Sequence, residues 1–206
     1  MICVMTNRPI FITGIGTGIG KTVVAAILTE SLKADYWKPV QSGDLDNSDT
    51  MKVKSLISND KTIFHSETFR LTHPFSPHKS AALDGIEISL NDFKLPETTN
   101  SLIIEGAGGL MVPLNNTDLM IDLIEKLNAE VVLVIKHYLG SINHSLLTLQ
   151  ALYSRGISVR AIIFNGDSDT YSESVINAHS KGELTVAIPQ LSMLDKQSIA
   201  LQNIVI

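Results

Sequence analysis

The segment Gly14-Ile15-Gly16-Thr17-Gly18-Ile19-Gly20-Lys21-Thr22 directly follows the apolar run Ile10-Phe11-Ile12-Thr13. Glycines let successive backbone N–H groups turn inward on an anion, and a helix starting at Lys21 would aim its positive end at the same point. Lys21 adds a full charge, and the Thr22 hydroxyl is suited to hold a metal. Together Gly16, Thr17, Gly18, Ile19, Gly20, Lys21 and Thr22 predict a cradle for a nucleoside triphosphate with Mg²⁺.

Spacing separates this reading from its neighbours. The common phosphate loop has four residues between its first glycine and Gly-Lys, which requires glycine at position 15, where Ile15 stands. Counted from Gly14, the loop is one residue longer. A dinucleotide-binding turn starting at Gly14 needs glycine or alanine at 19, and one starting at Gly16 needs it at 21; Ile19 and Lys21 occupy those places. A turn that merely packs a strand on a helix gives no reason for Lys-Thr at its end.

Other chemistry-bearing residues fall just after apolar runs. Lys38 sits within Trp37-Lys38-Pro39-Val40-Gln41-Ser42-Gly43. A buried lysine is costly without a paired anion, whereas one at a sheet edge would reach out to solvent. Ser42-Gly43 at the run's end points toward a site. Glu105 opens Glu105-Gly106-Ala107-Gly108-Gly109, where an acid beside small residues suits a Mg²⁺ ligand, with Gly108 allowing a γ-phosphate to approach closely. Asp44, Asp46 and Asp49 are each candidates for a second metal carboxylate, and the residues alone do not choose among them.

Gly140-Ser141-Ile142-Asn143-His144 reads as a helix start. Its free N–H groups suit a carboxylate, and capping by Ser141 or Asn143 is the alternative. Asn165, after Ala161-Ile162-Ile163-Phe164, suits a base edge. The guanine-reading Asn-Lys-x-Asp pattern needs Lys at 166 and Asp at 168, where Gly166 and Ser168 stand, so adenine is favoured. His78 and His144 have no metal-like partner spacing and receive no proton-transfer role.

These residues need a scaffold that brings run ends together. The apolar runs Ile10 to Thr13, Tyr36 to Val40, Ser101 to Glu105, Val131 to Ile135, Val159 to Phe164 and Leu184 to Ile188 predict buried strands. Lys21 to Lys33, Asp118 to Asn128 and Asn143 to Arg155 carry apolar residues at helical spacing. That alternation predicts an α/β fold, a mostly parallel sheet with helices on both faces, and ligands beyond the carboxyl ends of the strands. The polar stretch 44–100 is expected to lie over the site as an insertion.

With 206 residues and 44% hydrophobic content, the chain is expected to form a single domain over 1–206. Sixteen basic against twenty-one acidic side chains give a net charge of −5, and no basic stretch with interleaved aromatics predicts nucleic-acid binding. Cys3, the one cysteine, excludes an internal disulfide and fits a reducing compartment. No run approaches the roughly 20 apolar residues needed to cross a bilayer, and no leader-like segment precedes the first strand, so a cytoplasmic protein is expected. Met5 is an alternative start to Met1.

In order along the chain, the long loop Gly14 to Thr22, Lys38 to Gly43, Asn47-Ser48-Asp49, Ser76-Pro77-His78, Glu105 to Gly109, Gly140 to His144 and Asn165 resemble the dethiobiotin synthetase family. The resemblance implies a P-loop NTPase-type fold and ATP-dependent closure of 7,8-diaminononanoate with CO₂ into a cyclic urea, through a carbamate that ATP phosphorylates. It further implies that Lys21 and Lys38 neutralise the carbamate and the transferring phosphoryl, with Thr17 and Ser42 hydrogen-bonding around them. Thr22, Asp49 and Glu105 would hold Mg²⁺. Gly140, Ser141, Ile142 and Asn143 would take the substrate carboxylate from a neighbouring subunit, which implies a homodimer. Asn165 would read adenine with the backbone near Pro189 and Gln190.

The chain departs from the family at Gly18, where some members carry an acid, and in a short stretch between Asn165 and Leu184. An ATPase that switches by dimerising around its nucleotide, of the partitioning or iron-protein kind, is the competing class. Such proteins carry a lysine just after the loop's first glycine, and Ile15 holds that position.

Overall fold

The computed structural model describes residues 8–206, so Cys3 and the choice between Met1 and Met5 lie outside the described residues. In chain order the elements begin with β1 (Ile10–Gly14), α1 (Lys21–Leu32), β2 (Asp35–Trp37), β3 (Val40–Ser42), α2 (Asp49–Leu56), β4 (Phe64–His65), β5 (Phe69–Leu71) and α3 (Pro77–Leu83). They continue with β6 (Leu102–Glu105), α4 (Met120–Lys126), β7 (Glu130–Ile135), α5 (Ser141–Ser154), β8 (Val159–Asn165), α6 (Thr170–Ala178), β9 (Leu184–Ile188) and α7 (Lys196–Ala200).

The main sheet has the order β4-β2-β6-β1-β7-β8-β9, and its strand pairs are all parallel. Side chains alternate across a strand, so a strand buried on both faces must be apolar throughout. Phe11, Trp37, Ile104, Leu133 and Phe164 point into one core with α4, α5 and α6. Their chain neighbours Ile12, Tyr36, Ile103, Val134 and Ile163 point into the other with α1, α2 and α7. Each fully buried Phe, Ile or Leu contributes about 1.5–3 kcal/mol. Helix α1 shows the consequence: Val24 through Leu28 are all fully buried, so it is apolar around most of its surface rather than striped.

The expected strand from Tyr36 to Val40 is instead two strands in different sheets. Pro39 has no N–H to give to a ladder, and the chain leaves the main sheet at Lys38 to pair β3 with β5 in a separate parallel sheet. Residues 44–100 also differ from the expected insertion, because β4 within them forms the edge of the main sheet beside β2. At the opposite edge the apolar run predicts a buried β9. Of its residues only Ile188 is buried, as β9 is the edge strand and pairs with β8 alone.

Candidate active site

The loop after β1 is shaped first by its glycines. Gly18 and Gly20 adopt left-handed φ values of 73° and 94°, conformations that cost little only for glycine. Gly20 is the N-cap of α1 and provides no side-chain cap, so the first N–H groups of that helix stay available to an anion. Thr17 and Gly18 are exposed, while Ile19 is buried and anchors the loop. Nothing lies within 4 Å of the point where a Cβ on Gly18 would stand, so the space an acidic side chain would enter is open.

The loop, β3, the start of α2 and the end of β6 surround a cleft of about 730 Å³, lined by Thr17, Gly18, Gly20, Lys21, Thr22, Lys38, Ser42, Asp49, Glu105 and Gly108. Phe75, Ser76 and Pro77 close it from the side of α3. Each of the charged residues arrives by a local cause. Ser48 caps α2 by accepting the Met51 N–H, which sets Asp49 in the first turn, where the helix dipole favours an acid. The Gln41 carboxamide accepts the Asp49 N–H at 3.1 Å and donates to the Gly43 carbonyl at 2.9 Å, tying α2 to β3. Asp44 and Asp46 are exposed, so Asp49 is the acid the fold turns inward.

The centre is a buried charge network. Lys38 Nζ lies 2.8 Å from Asp49 Oδ2 and 3.2 Å from Glu105 Oε1, and it donates to the Gly106 carbonyl at 3.2 Å. The Thr22 hydroxyl donates to Glu105 Oε1 at 2.9 Å, and the Tyr36 hydroxyl donates to Glu105 Oε2 at 2.7 Å. Burial opposes the charge on Lys38, but the two carboxylates more than reverse this and hold its pKa above the ordinary value. Burial likewise works against ionised Asp49, and Lys38 with Lys52 outweighs it, so its pKa is lowered.

Lys21 is the exception. It donates to the Gly16 carbonyl at 2.8 Å, and burial, only partly countered by Glu105, lowers its pKa to about 8. This cation sits 7% exposed beside a phosphate-shaped loop without a carboxylate in salt-bridge contact. The Ser42 hydroxyl is buried and has no hydrogen-bond partner, although it borders the cleft. Among the described residues no group of three or more His, Cys, Asp and Glu could hold a metal; the hard oxygens that meet here are the Thr22 hydroxyl and two carboxylates.

Asn165 lies at the end of β8, level with Ile188 at the end of β9, so Pro189 and Gln190 follow immediately beside it. Its amide donates to the Ile19 carbonyl at 2.9 Å and packs on Gly20. Helix α5 begins at Gly140 without a side-chain cap, so neither Ser141 nor Asn143 caps it. Gly140, Ser141, Ile142 and Asn143 are not among the residues lining this cleft. Further along α5, His144, Leu147 and Thr148 border a second, more apolar cleft of about 720 Å³ that shares Gly16 and Thr17 with the loop. His144 bonds Tyr138 at 2.7 Å, and His78 is not among the residues lining the charged cleft.

Sequence reasoning did not single out Tyr36, Gln41 or Lys52. Tyr36 and Gln41 read as ordinary strand residues, and Lys52 as a solvated helix charge; its ammonium lies 3.6 Å from Asp49 and 3.8 Å from Asp44.

An AAA-domain family model matches residues 8–198. The ATP-dependent dethiobiotin synthetase BioD of Christiangramia forsetii is 51% identical over 189 residues, covering 92% of this chain and 91% of its own. That of Cytophaga hutchinsonii is 46% identical over 190 residues, covering 92% of each. The chain belongs to the dethiobiotin synthetase family.

A ParA family ATPase from Chlorobium tepidum matches the fold with a TM-score of 0.55 over 96% of this chain and 99% of its own, at 13% identity. The dethiobiotin synthetase family and that ATPase thus share a P-loop architecture.

Proposed function

We propose that the charged cleft is where ATP, CO₂ and 7,8-diaminononanoate react in this ATP-dependent cyclo-ligase of biotin biosynthesis, within one domain spanning 1–206. The observation that supports this most is the convergence of Lys21, Lys38, Asp49, Glu105 and Thr22 on one cleft beside the glycine loop.

One amine of the diamine adds to CO₂ and loses a proton, giving a carbamate. A carbamate oxygen then attacks the γ-phosphorus of ATP, breaking its bond to ADP and forming a carbamic-phosphoric anhydride. The second amine attacks the carbamate carbon, expels phosphate and closes the ring. No protein nucleophile is required, so the residues act by position and charge.

In this reading, Gly16 through Thr22 and Gly108 hold the polyphosphate, and Lys21 neutralises the oxygens between which the phosphoryl moves. Lys38 faces the carbamate, with Thr17 and the unpartnered Ser42 hydroxyl bonding around it. Asn165, with Pro189 and Gln190, reads adenine while bracing the Ile19 carbonyl. Thr22, Asp49 and Glu105 offer an oxygen set that would hold Mg²⁺, which would supply positive charge against the polyphosphate. The start of α5, Gly140 to Asn143, receives the substrate carboxylate for the neighbouring subunit of a homodimer. Its uncapped N–H groups and its position outside the chain's own charged cleft support that arrangement. Among the described residues no helix is long and apolar enough to cross a membrane; a cytoplasmic location is part of the same proposal.

The test is a coupled assay with Mg²⁺, ATP, bicarbonate and the diamine. ADP release in step with cyclic-urea formation is expected, and diamine-independent ATP turnover with no urea would contradict the reading.

A further inference from the structure

Glu105 is 1% exposed, so both of its oxygens need donors if it is to stay ionised. The donors divide by direction. Thr22 and Lys38, which serve Oε1, border the cleft, whereas Tyr36, which serves Oε2, does not. Tyr36 is fully buried in the core beside α1, on β2, whose register sets it opposite Ile103 of β6. Its hydroxyl therefore reaches Glu105 from the core between the sheet and α1. The ring packs against Phe64, with centroids 5.8 Å apart.

We propose that Tyr36 is a positioning residue that holds Glu105 Oε2 toward the core beside α1 and so leaves a single carboxylate oxygen, Oε1, to face the phosphate cleft. This rests on the reading that Glu105 serves the cation and phosphates. The restriction has a chemical consequence. Mg²⁺ demands near-octahedral geometry and is served by single carboxylate oxygens, while Ca²⁺ accepts both oxygens of one carboxylate. Without the hydroxyl, Oε2 is left buried with no donor and turns toward the cleft, giving a site better suited to the larger ion.

The experiment is calorimetric titration of Mg·ADP and Ca·ADP into the full-length wild type, Tyr36→Phe, Glu105→Gln and the double variant. Removing an outer partner of a metal ligand typically costs 10–100-fold in metal affinity, so Tyr36→Phe is expected to weaken Mg·ADP about tenfold and to move the Ca²⁺-to-Mg²⁺ affinity ratio about fivefold toward Ca²⁺. On the Glu105→Gln background the same change is expected to have no effect, because Tyr36 acts through the carboxylate. Wild-type affinities in Tyr36→Phe, or an equal loss on both backgrounds, overturn the proposal. Wild-type affinity in Glu105→Gln instead overturns the underlying assignment of Glu105. Should Tyr36→Phe alone fail to fold, the double variant decides. Its folding with the affinity of Glu105→Gln supports the coupling, and its failure to fold overturns it.

Discussion

Lys38 Nζ and Asp49 Oδ2 meet at 2.8 Å, although one residue ends the chain's passage through the main sheet and the other opens a helix. With Lys38 removed, Asp49 and Glu105 remain as two partly or wholly buried carboxylates with no shared cation. Breaking a buried pair on one side is expected to cost roughly 3 kcal/mol of stability. Urea formation by Lys38→Ala is expected to fall by about 10²-fold or more, the effect seen when a charge-stabilising donor is lost. Denaturant unfolding and the coupled assay measure both. Near-normal turnover would reduce Lys38 to a packing role.

Lys21 predicts a pH dependence. Its folded pKa is about 8 against an ordinary 10.5, so the free protein holds it charged only at a cost that is fully present below about 8. Between these values the unfolded chain binds the extra proton, so this group's contribution makes stability rise with pH across that window. Nucleotide affinity runs the other way. A polyphosphate favours the ammonium, so ADP affinity is expected to fall as pH rises above about 8, and in Lys21→Met to be weak and free of this step. Calorimetric titration with ADP across that range tests it; an unchanged step in the variant would assign the titration elsewhere.

Gly20 and Asn165 couple the loop to β8. A Cβ on Gly20 would collide with the Asn165 carboxamide and would also sit at a φ of 94° that side chains rarely adopt. Gly20→Ala is expected to cost about 1–3 kcal/mol and to abolish detectable nucleotide binding. Asn165→Ala, which keeps the glycine, is expected to weaken ATP more than CTP, as adenine reading requires. Equal weakening of both nucleotides would leave Asn165 only its bond to the Ile19 carbonyl.

The order of chemistry was legible in the sequence wherever it was carried by backbone-shaping residues or by a lone charge in an apolar run. The glycine loop, Lys38 and Glu105 are of that kind, and the parallel core followed from unbroken runs such as Val131 to Ile135. What was not legible depends on pairing between distant segments. The break at Lys38-Pro39 was hidden because Val40 is apolar in either sheet. The choice of Asp49 over Asp44 and Asp46 rests on the Ser48 cap and Gln41, which meet it only after folding. Tyr36 looked like any buried aromatic, since nothing nearby in sequence shows that its hydroxyl ends at Glu105. The exposure of β9 reflects its place at the edge of the sheet, which local patterning does not encode.

The dimer proposal makes its own prediction. Leu139 is fully exposed and Leu147 is 57% exposed, one beside the α5 start and the other on its second-cleft face. Leu147→Arg is expected to yield a monomer by sedimentation that binds ADP normally and has a KM for the diamine raised about tenfold or more, the worth of one charge-assisted contact. Full activity in a demonstrated monomer would contradict it.

The central claim is that the phosphoryl group goes from ATP to a carbamate rather than to water. Rapid mixing of ¹⁸O-labelled CO₂, in ordinary water, with enzyme, Mg²⁺, ATP and diamine tests this most directly, by mass spectrometry of the released phosphate. One labelled oxygen in each phosphate is the expected result, because the carbamate oxygen leaves with phosphorus when the ring closes. Phosphate carrying no labelled oxygen, formed at the full rate of ADP release, would contradict it.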